Sequence, residues 1–155
     1  MVSVEPPPAA EDVNAVTRSK SRPLAVALIA ALSGGALAAL PALKTQGKVE
    51  YLTGGIGKDE SDSIKQVRAT FPLALEFLAE ATPRAEYLAD IDVNVIDGEG
   101  RSLLIVRAEG PFLLARVPPG EYTVRATYMG HTLEKRLRVG EGGSGPAVFV
   151  WDARR

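Results

Sequence analysis

The 155-residue sequence contains no cysteine. This absence excludes disulfide bonds, thiol nucleophiles, thiolate metal sites and lipid anchors attached through cysteine. The folded chain must therefore rely on core packing and strand hydrogen bonds alone. His131 is the only histidine, and a single histidine gives neither a zinc site nor a Ser–His–Asp triad without further support.

An excess of basic charge is also missing. The chain has 18 Lys and Arg against 19 Asp and Glu, for a formal net charge of −1. Nucleic-acid binding needs a clustered basic face, so we expect no nucleic-acid partner. Hydrophobic residues make up 46% of the chain, which is enough to build the core of one ordinary domain.

The N-terminal region, residues 1–38, has the layout of a secretory signal. Residues 1–17 are rich in proline and acidic residues and are expected to be disordered. Arg18, Lys20 and Arg22 then precede an apolar h-region at 24–40, which contains the small-x-small sequence Ala36-Leu37-Ala38. A basic stretch, an apolar run and such an exit define a cleavable signal peptide.

With cleavage after this small-x-small sequence, we expect a mature chain that begins near Ala39. The protein then meets the membrane only during export, and its destination is the periplasm or the exterior as a secreted protein. The alternative is a retained membrane anchor, although the apolar run is short for about 30 Å of hydrocarbon.

After export, residues 39–47 are expected to form a flexible leader and residues 48–155 a single β-sandwich domain. A helix is predicted over 59–71, because Ile64, Val67 and Phe71 form one apolar stripe with helical spacing. The preceding sequence, Gly54-Gly55-Ile56-Gly57, favours a tight turn over an anion site, since acidic residues at the helix start would repel phosphate.

From Glu86 onward the pattern is that of strands. Ile91, Val93 and Val95 alternate with polar residues, and turn residues recur every eight to twelve positions. The sequence therefore predicts a mainly β fold, a seven- to eight-stranded antiparallel β-sandwich with one short N-terminal helix.

The segment from Ile91 to Val139 resembles the carboxypeptidase regulatory-like family, which has a transthyretin-like (prealbumin-like) sandwich. The matching residues are Val93, Val95, Asp97, Gly100, Gly110, Phe112, Val117, Pro118, Pro119, Gly120, Tyr122, Val124 and Gly130. The part with the glycine-rich turn and helix is similar to small exported proteobacterial proteins. The resemblance implies an accessory or binding module without peptidase activity.

One group within this motif forms a structural turn, namely Pro118, Pro119, Gly120 and Tyr122. A glycine that follows two prolines in a turn is expected to adopt a positive φ.

Two polar groups on strand faces are candidate sites. Arg125, Arg136 and Arg138 alternate on the outer face of a hairpin and are possible partner-facing residues. Asp90, Asp92 and Asn94 form an oxygen-rich row, but residues i and i+2 of a strand are about 7 Å apart. We therefore expect no bound Ca²⁺.

These observations predict a non-enzymatic exported module that binds an envelope protein or another envelope ligand. No catalytic residue, cofactor or metal site is predicted. One alternative is a carbohydrate- or small-ligand-binding domain, which would show exposed aromatic side chains. A weaker alternative is a hydrolase of the transthyretin-like fold, whose C-terminal Tyr-Arg-Gly-Ser this chain lacks.

Overall fold

A computed structural model of the protein describes residues 40–153. The predicted signal region at 1–38, including the disordered segment 1–17, lies outside the described residues. The predicted h-region at 24–40 lies outside them too, except for Leu40. Leu40 packs against a hydrophobic cluster of the domain.

One sheet, sheet A, contains six strands. They are β1 (Lys44–Gln46), β2 (Val49–Gly54), β3 (Leu73–Glu80), β4 (Glu86–Tyr87), β7 (Phe112–Arg116) and β10 (Pro146–Asp152). The strand order is β1-β2-β7-β3-β10, with β4 paired to β3 beyond the end of β7. The strands β1 and β10 are therefore at the two ends of sheet A.

The other sheet, sheet B, contains four strands. They are β5 (Ile91–Asp97), β6 (Ser102–Ala108), β8 (Gly120–Tyr128) and β9 (His131–Val139). The order β6-β5-β8-β9 is antiparallel throughout. The strands β6 and β9 are the edges of sheet B.

The predicted fold class is confirmed, because residues 40–153 are mainly β, with 57% in strands, which form two sheets, and 11% in helix. Two details differ from the prediction. The described residues form ten strands, because the short β1 and β4 add to those expected. The strand β10 also runs parallel to β3, and the connection between them contains all four strands of sheet B together with β4 and β7 of sheet A.

The predicted leader at 39–47 is one source of the extra strands. Its residues Lys44–Gln46 form β1, which pairs with β2 in antiparallel register. All three residues of β1 are exposed, so no hydrophobic pattern marked this strand in the sequence.

The main core lies between the two sheets. Alternate residues of each strand point into it, for example Leu75 and Phe77 of β3 and Val93 and Val95 of β5, all of which are buried. The polar residues between them point outward, as the period of two in a strand requires. Burial of this apolar surface is the principal stabilising contribution to the fold.

One helix covers the outer face of sheet A and makes a third layer. The helix α1 (Lys58–Val67) is followed by a 3-10 turn over Arg68–Thr70. This is close to the predicted range of 59–71. Ile64 is fully buried, and it packs in a second cluster with Phe112 and Leu114 of β7. The central strand β7 is therefore buried on both faces.

No helix within residues 40–153 has the length and apolar character needed to cross a bilayer.

Candidate functional site

The predicted structural turn is closed by a tyrosine hydroxyl. The hydroxyl of Tyr122 donates a 2.6 Å hydrogen bond to the carbonyl oxygen of Pro118. Its side chain is only 5% exposed. Burial, assisted by the nearby carboxylate of Asp97, raises the pKa of Tyr122. The hydrogen bond therefore joins the two ends of the turn formed by Pro118, Pro119, Gly120 and Tyr122.

The expected positive φ at Gly120 is wrong. Gly120 is not among the described residues with positive φ, because its backbone is extended and pairs with Val139 at the start of β8. A Cβ at this position would lie 3.8 Å from the Tyr122 ring, which is an ordinary contact. The geometry of the turn therefore does not depend on glycine.

Asp97 organises the turn between β5 and β6. Its carboxylate accepts hydrogen bonds of 2.9 Å from the backbone N–H groups of Glu99 and Arg101, and one of 3.0 Å from the Arg101 guanidinium. The Arg101 N–H, then the Glu99 N–H and the guanidinium, hold the pKa of Asp97 below its usual value. Asp97 is directly opposite Tyr122 in β8, and each of these two residues holds a turn through its side-chain hydrogen bonds.

The three candidate partner-facing arginines lie on the outer face of sheet B but differ in their contacts. Arg125 forms a 2.7 Å ion pair with Glu134. Arg136 and Arg138 are exposed, and neither has an ion pair or side-chain hydrogen bond within the described part of the chain. All three line a shallow depression of about 610 Å³. Of the three arginines, Arg136 and Arg138 have no ion-pair partner within residues 40–153, and the exposed Glu121, directly opposite Arg138 in the ladder of β8 and β9, lines the same depression.

The two acidic residues of the predicted oxygen-rich row form ion pairs, and one of them, Asp90, lies just before β5 with a φ of 59°. Asp90 lies 3.4 Å and Asp92 4.0 Å from Arg107. Asn94, the third member, has a buried amide oxygen without a hydrogen bond. Its cross-strand neighbours are Ile105 and Arg125. Within residues 40–153 no three His, Cys, Asp or Glu side chains converge as a metal site, and the prediction about Ca²⁺ stays a prediction.

Two further features of the sequence, His131 and the glycine-rich turn at 54–57, form hydrogen bonds within the domain. The side chain of His131 is exposed, and its backbone carbonyl accepts a 3.0 Å hydrogen bond from the Trp151 indole. The backbone N–H of Gly55 donates a 2.6 Å hydrogen bond to the carboxylate of Glu60. A carboxylate thus already occupies the glycine-rich turn, which is unfavourable for an anion.

The sequence did not reveal an apolar groove at one end of the sandwich. Three adjoining depressions of about 630, 560 and 570 Å³ are all lined by Leu88, and we call them together the Leu88 groove. The exposed large side chains Ile56, Tyr87, Met129 and Val150 all line it. They come from four separate segments, so no local pattern linked them.

The Leu88 groove has a polar rim of both signs. Lys58 pairs with Asp62 at 2.6 Å on one side, and Arg107 pairs with Asp90 on the other. The ammonium group of Lys65 lies 5.5 Å from the centre of the Tyr87 ring. An apolar centre with a mixed polar rim is typical of protein-binding surfaces.

Met129 breaks a local structural rule within this groove. Met129 and Gly130 form the two-residue turn between β8 and β9, with φ values of 47° and 80°. Both central residues of such a turn need positive φ, which favours Asn-Gly and disfavours a bulky side chain at the first position. The Met129 side chain is also 80% exposed. It therefore contributes little to the core in return for this conformational cost.

Comparison with known proteins does not assign the chain to a family. No family model matches the chain, and no curated protein matches it.

Proposed function

We propose that this chain is an exported, non-enzymatic β-sandwich module that binds another protein of the cell envelope through the Leu88 groove. The observation that carries the proposal is the gathering of Ile56, Tyr87, Met129 and Val150 around Leu88. Exposed apolar patches with polar rims mark interaction sites. The strained turn at Met129 supports the same conclusion, because strain concentrates at functional positions.

The chemistry of the groove favours a protein over other ligands. Tyr87 is the one exposed aromatic side chain within residues 40–153, whereas a glycan site is expected to present several for stacking. The rim carries both charge signs in pairs, so it offers no net attraction to an anionic membrane. Apolar side chains of a protein partner fit such a surface best.

Export to the periplasm, or secretion beyond it, rests on the signal pattern at residues 1–38. Cell fractionation and N-terminal sequencing of the mature protein test it. We expect a soluble periplasmic chain that begins near Ala39. A chain found in the membrane fraction that still carries residues 24–40 would instead identify a retained anchor.

Site-specific crosslinking in the native cell tests the groove. A photoreactive amino acid is placed at position 129 or 87, and at position 105 as a control. Ile105 is 60% exposed but does not line the groove. We expect the same crosslinked protein from positions 129 and 87, its absence from position 105, and its loss when Val150→Glu is added. Equal crosslinking from all three positions refutes the proposal.

Met129→Asn separates binding from folding. Asparagine suits the turn better than methionine, so the variant is expected to gain about 0.5–1 kcal/mol of stability. The same variant should weaken crosslinking from position 87. A variant that is more stable and binds equally well would show that Met129 has no part in recognition.

A further inference from the structure

The two long sides of the sandwich are protected in different ways. On one side, the side-chain amide of Gln46 donates to the carbonyl of Ile105 at 2.9 Å and accepts from its N–H at 2.7 Å. Thr53 accepts a hydrogen bond from the backbone N–H of Glu109, and Lys44 pairs with the Glu109 carboxylate. Side chains of sheet A therefore cap the edge of β6.

The opposite side is open along β9. This strand is nine residues long and pairs only with β8. The Trp151 indole bonds to the carbonyl of His131 at its first residue. Beyond that point the described structure shows no side chain bonded to the β9 backbone. Unpaired edge strands of this length are ready templates for another strand.

The outer face of β9 carries an excess of positive charge. Arg136 and Arg138 lie on its outer face without ion-pair partners among residues 40–153. Lys135 points to the other face, where its ammonium group lies 5.6 Å from the centre of the Phe149 ring. Two antiparallel copies of β9 would bring these cations together in the registers that place Arg136 opposite Arg138, which is unfavourable. The register centred on Lys135 instead places Arg136 opposite Glu134, so charge does not oppose that pairing. A strand with acidic side chains opposite Arg136 and Arg138 would be attracted.

The first residues of β9 also reach the groove. His131, Thr132 and Leu133 line the same depression as Leu88, Val150 and Met129. From Leu133 to Arg138 is five residues, or about 17 Å along an extended strand. A segment paired with β9 therefore spans the apolar groove and the two unpaired arginines at once.

We infer that β9 is the docking edge for an extended acidic segment of the protein partner, an inference that rests on the proposed function. The segment adds to sheet B as a fifth strand. Its acidic side chains, at alternate positions, face Arg136 and Arg138. Apolar side chains on its other face lie beside Leu133 and Leu137. Main-chain hydrogen bonds supply affinity in this mode, and the alternate side chains supply specificity.

A synthetic peptide serves as the probe. It has nine residues that alternate glutamate with valine, and the control peptide carries lysine in place of glutamate. Binding to the purified domain is measured by fluorescence anisotropy. We expect only the glutamate peptide to bind, with affinity that falls several-fold from 50 to 500 mM salt, because the charges are exposed. Equal binding of both peptides overturns the inference.

Matched charge variants locate the site. The pair Arg136→Glu and Arg138→Glu is expected to weaken binding by about tenfold. The control pair, Lys48→Glu and Arg84→Glu, changes net charge equally at two other exposed cations without ion pairs among the described residues. We expect the control to bind as the wild type does, apart from a small general charge effect. Equal loss in the two pairs refutes the assignment to β9.

Backbone methylation tests strand addition itself. N-methyl groups at alternate residues of the peptide block either the face that pairs with β9 or the opposite face. One methylated series should lose binding and the other should keep it, with slower amide exchange along β9 in the second case. Binding of both series shows that the peptide does not add as a strand.

The outcomes of the peptide experiments at β9 are independent of the outcomes of the crosslinking experiments at the Leu88 groove. Peptide binding lost only with Arg136 and Arg138, together with no specific crosslink at position 129, supports β9 docking and contradicts groove recognition. A specific crosslink at position 129, together with equal binding of the two peptides, supports groove recognition and contradicts β9 docking. Dimerisation of the free chain through β9 at low salt would identify a second copy as the occupant and overturn the inference.

Discussion

Removal of one hydroxyl group should measure how the turn before β8 is held. Tyr122→Phe deletes the donor of the 2.6 Å hydrogen bond to Pro118 and preserves the ring, which is 5% exposed in the main core. Because the ring volume is unchanged, the substitution creates no large cavity. The effect on stability therefore reports mainly the hydrogen bond.

The expected magnitude follows from what the carbonyl of Pro118 loses. A typical intramolecular hydrogen bond contributes about 1 kcal/mol net, and a buried group left without a partner costs about 1–3 kcal/mol. This hydrogen bond is only partly buried, so water has some access to the carbonyl. We expect Tyr122→Phe to lower the free energy of unfolding by about 1–2 kcal/mol.

Urea unfolding followed by tryptophan fluorescence measures the change. Trp151 is the only tryptophan, and it is buried in the core, so its emission reports global unfolding. The matched control is Tyr128→Phe, because the described structure shows no hydrogen bond from the Tyr128 hydroxyl and this ring also packs against the core. We expect the control to remain within about 0.5 kcal/mol of the wild type.

A second comparison asks whether glycine or tyrosine holds the turn. Gly120→Ala places a Cβ at ordinary contact distance from the Tyr122 ring, without a positive φ, so its effect should be within about 1 kcal/mol. If Gly120→Ala destabilises the protein more than Tyr122→Phe does, the reasoning is wrong. Equal stability of Tyr122→Phe and the wild type would also refute it.

Three further substitutions test other parts of the fold by the same urea assay. Gly110→Ala should cost at least about 2 kcal/mol, because its Cβ would overlap the backbone carbonyl of Gly54; an unchanged midpoint contradicts this contact. Gln46→Ala should cost about 1 kcal/mol and promote association through the uncovered edge of β6, visible by sedimentation. Ionised Asp97, whose pKa is lowered mainly by the N–H of Arg101, stabilises the protein above its unfolded-state pKa of about 4. This contribution is lost as pH falls through the folded-state pKa, so the difference between wild type and Asp97→Asn should be constant at pH 5–7 and shrink below pH 4.

The features that could be predicted from the sequence are those encoded by neighbouring residues. The alternation at Ile91, Val93 and Val95 predicted a strand with one buried face, because side chains of a strand alternate with a period of two. All three are buried. The β-sandwich itself follows from the repetition of such strands between turns.

The features that could not be predicted depend on residues far apart in the chain. The parallel pairing of β3 with β10 joins Leu75 to Ala147, and nothing in either strand specifies that partner. The strand β1 was missed because Gln46 stabilises it through a side-chain bond to β6. The Leu88 groove brings together single apolar residues that each look ordinary alone.

The expectation at Gly120 failed for a different reason. The sequence Pro-Pro-Gly is typical of tight turns with positive φ at glycine, and that local preference is real. Here the pairing of Gly120 with Val139 starts the ladder of β8 and β9, so the glycine is extended. Hydrogen bonding across the hairpin therefore overrides the local turn preference.

The contrast between the two sides of the sandwich gives the strongest physical reason to look for a partner at β9. The edge of β6 is covered by the amide of Gln46, and its exposure would cost two hydrogen bonds to Ile105. The edge of β9 carries Arg136 and Arg138. These two side chains repel a cationic strand and attract an acidic one. A binding segment at β9 therefore breaks no hydrogen bond of the described structure beyond His131 and gains attraction from charges that are otherwise unpaired. Recognition at this edge leaves the sandwich intact, whereas recognition at the edge of β6 would require part of it to open.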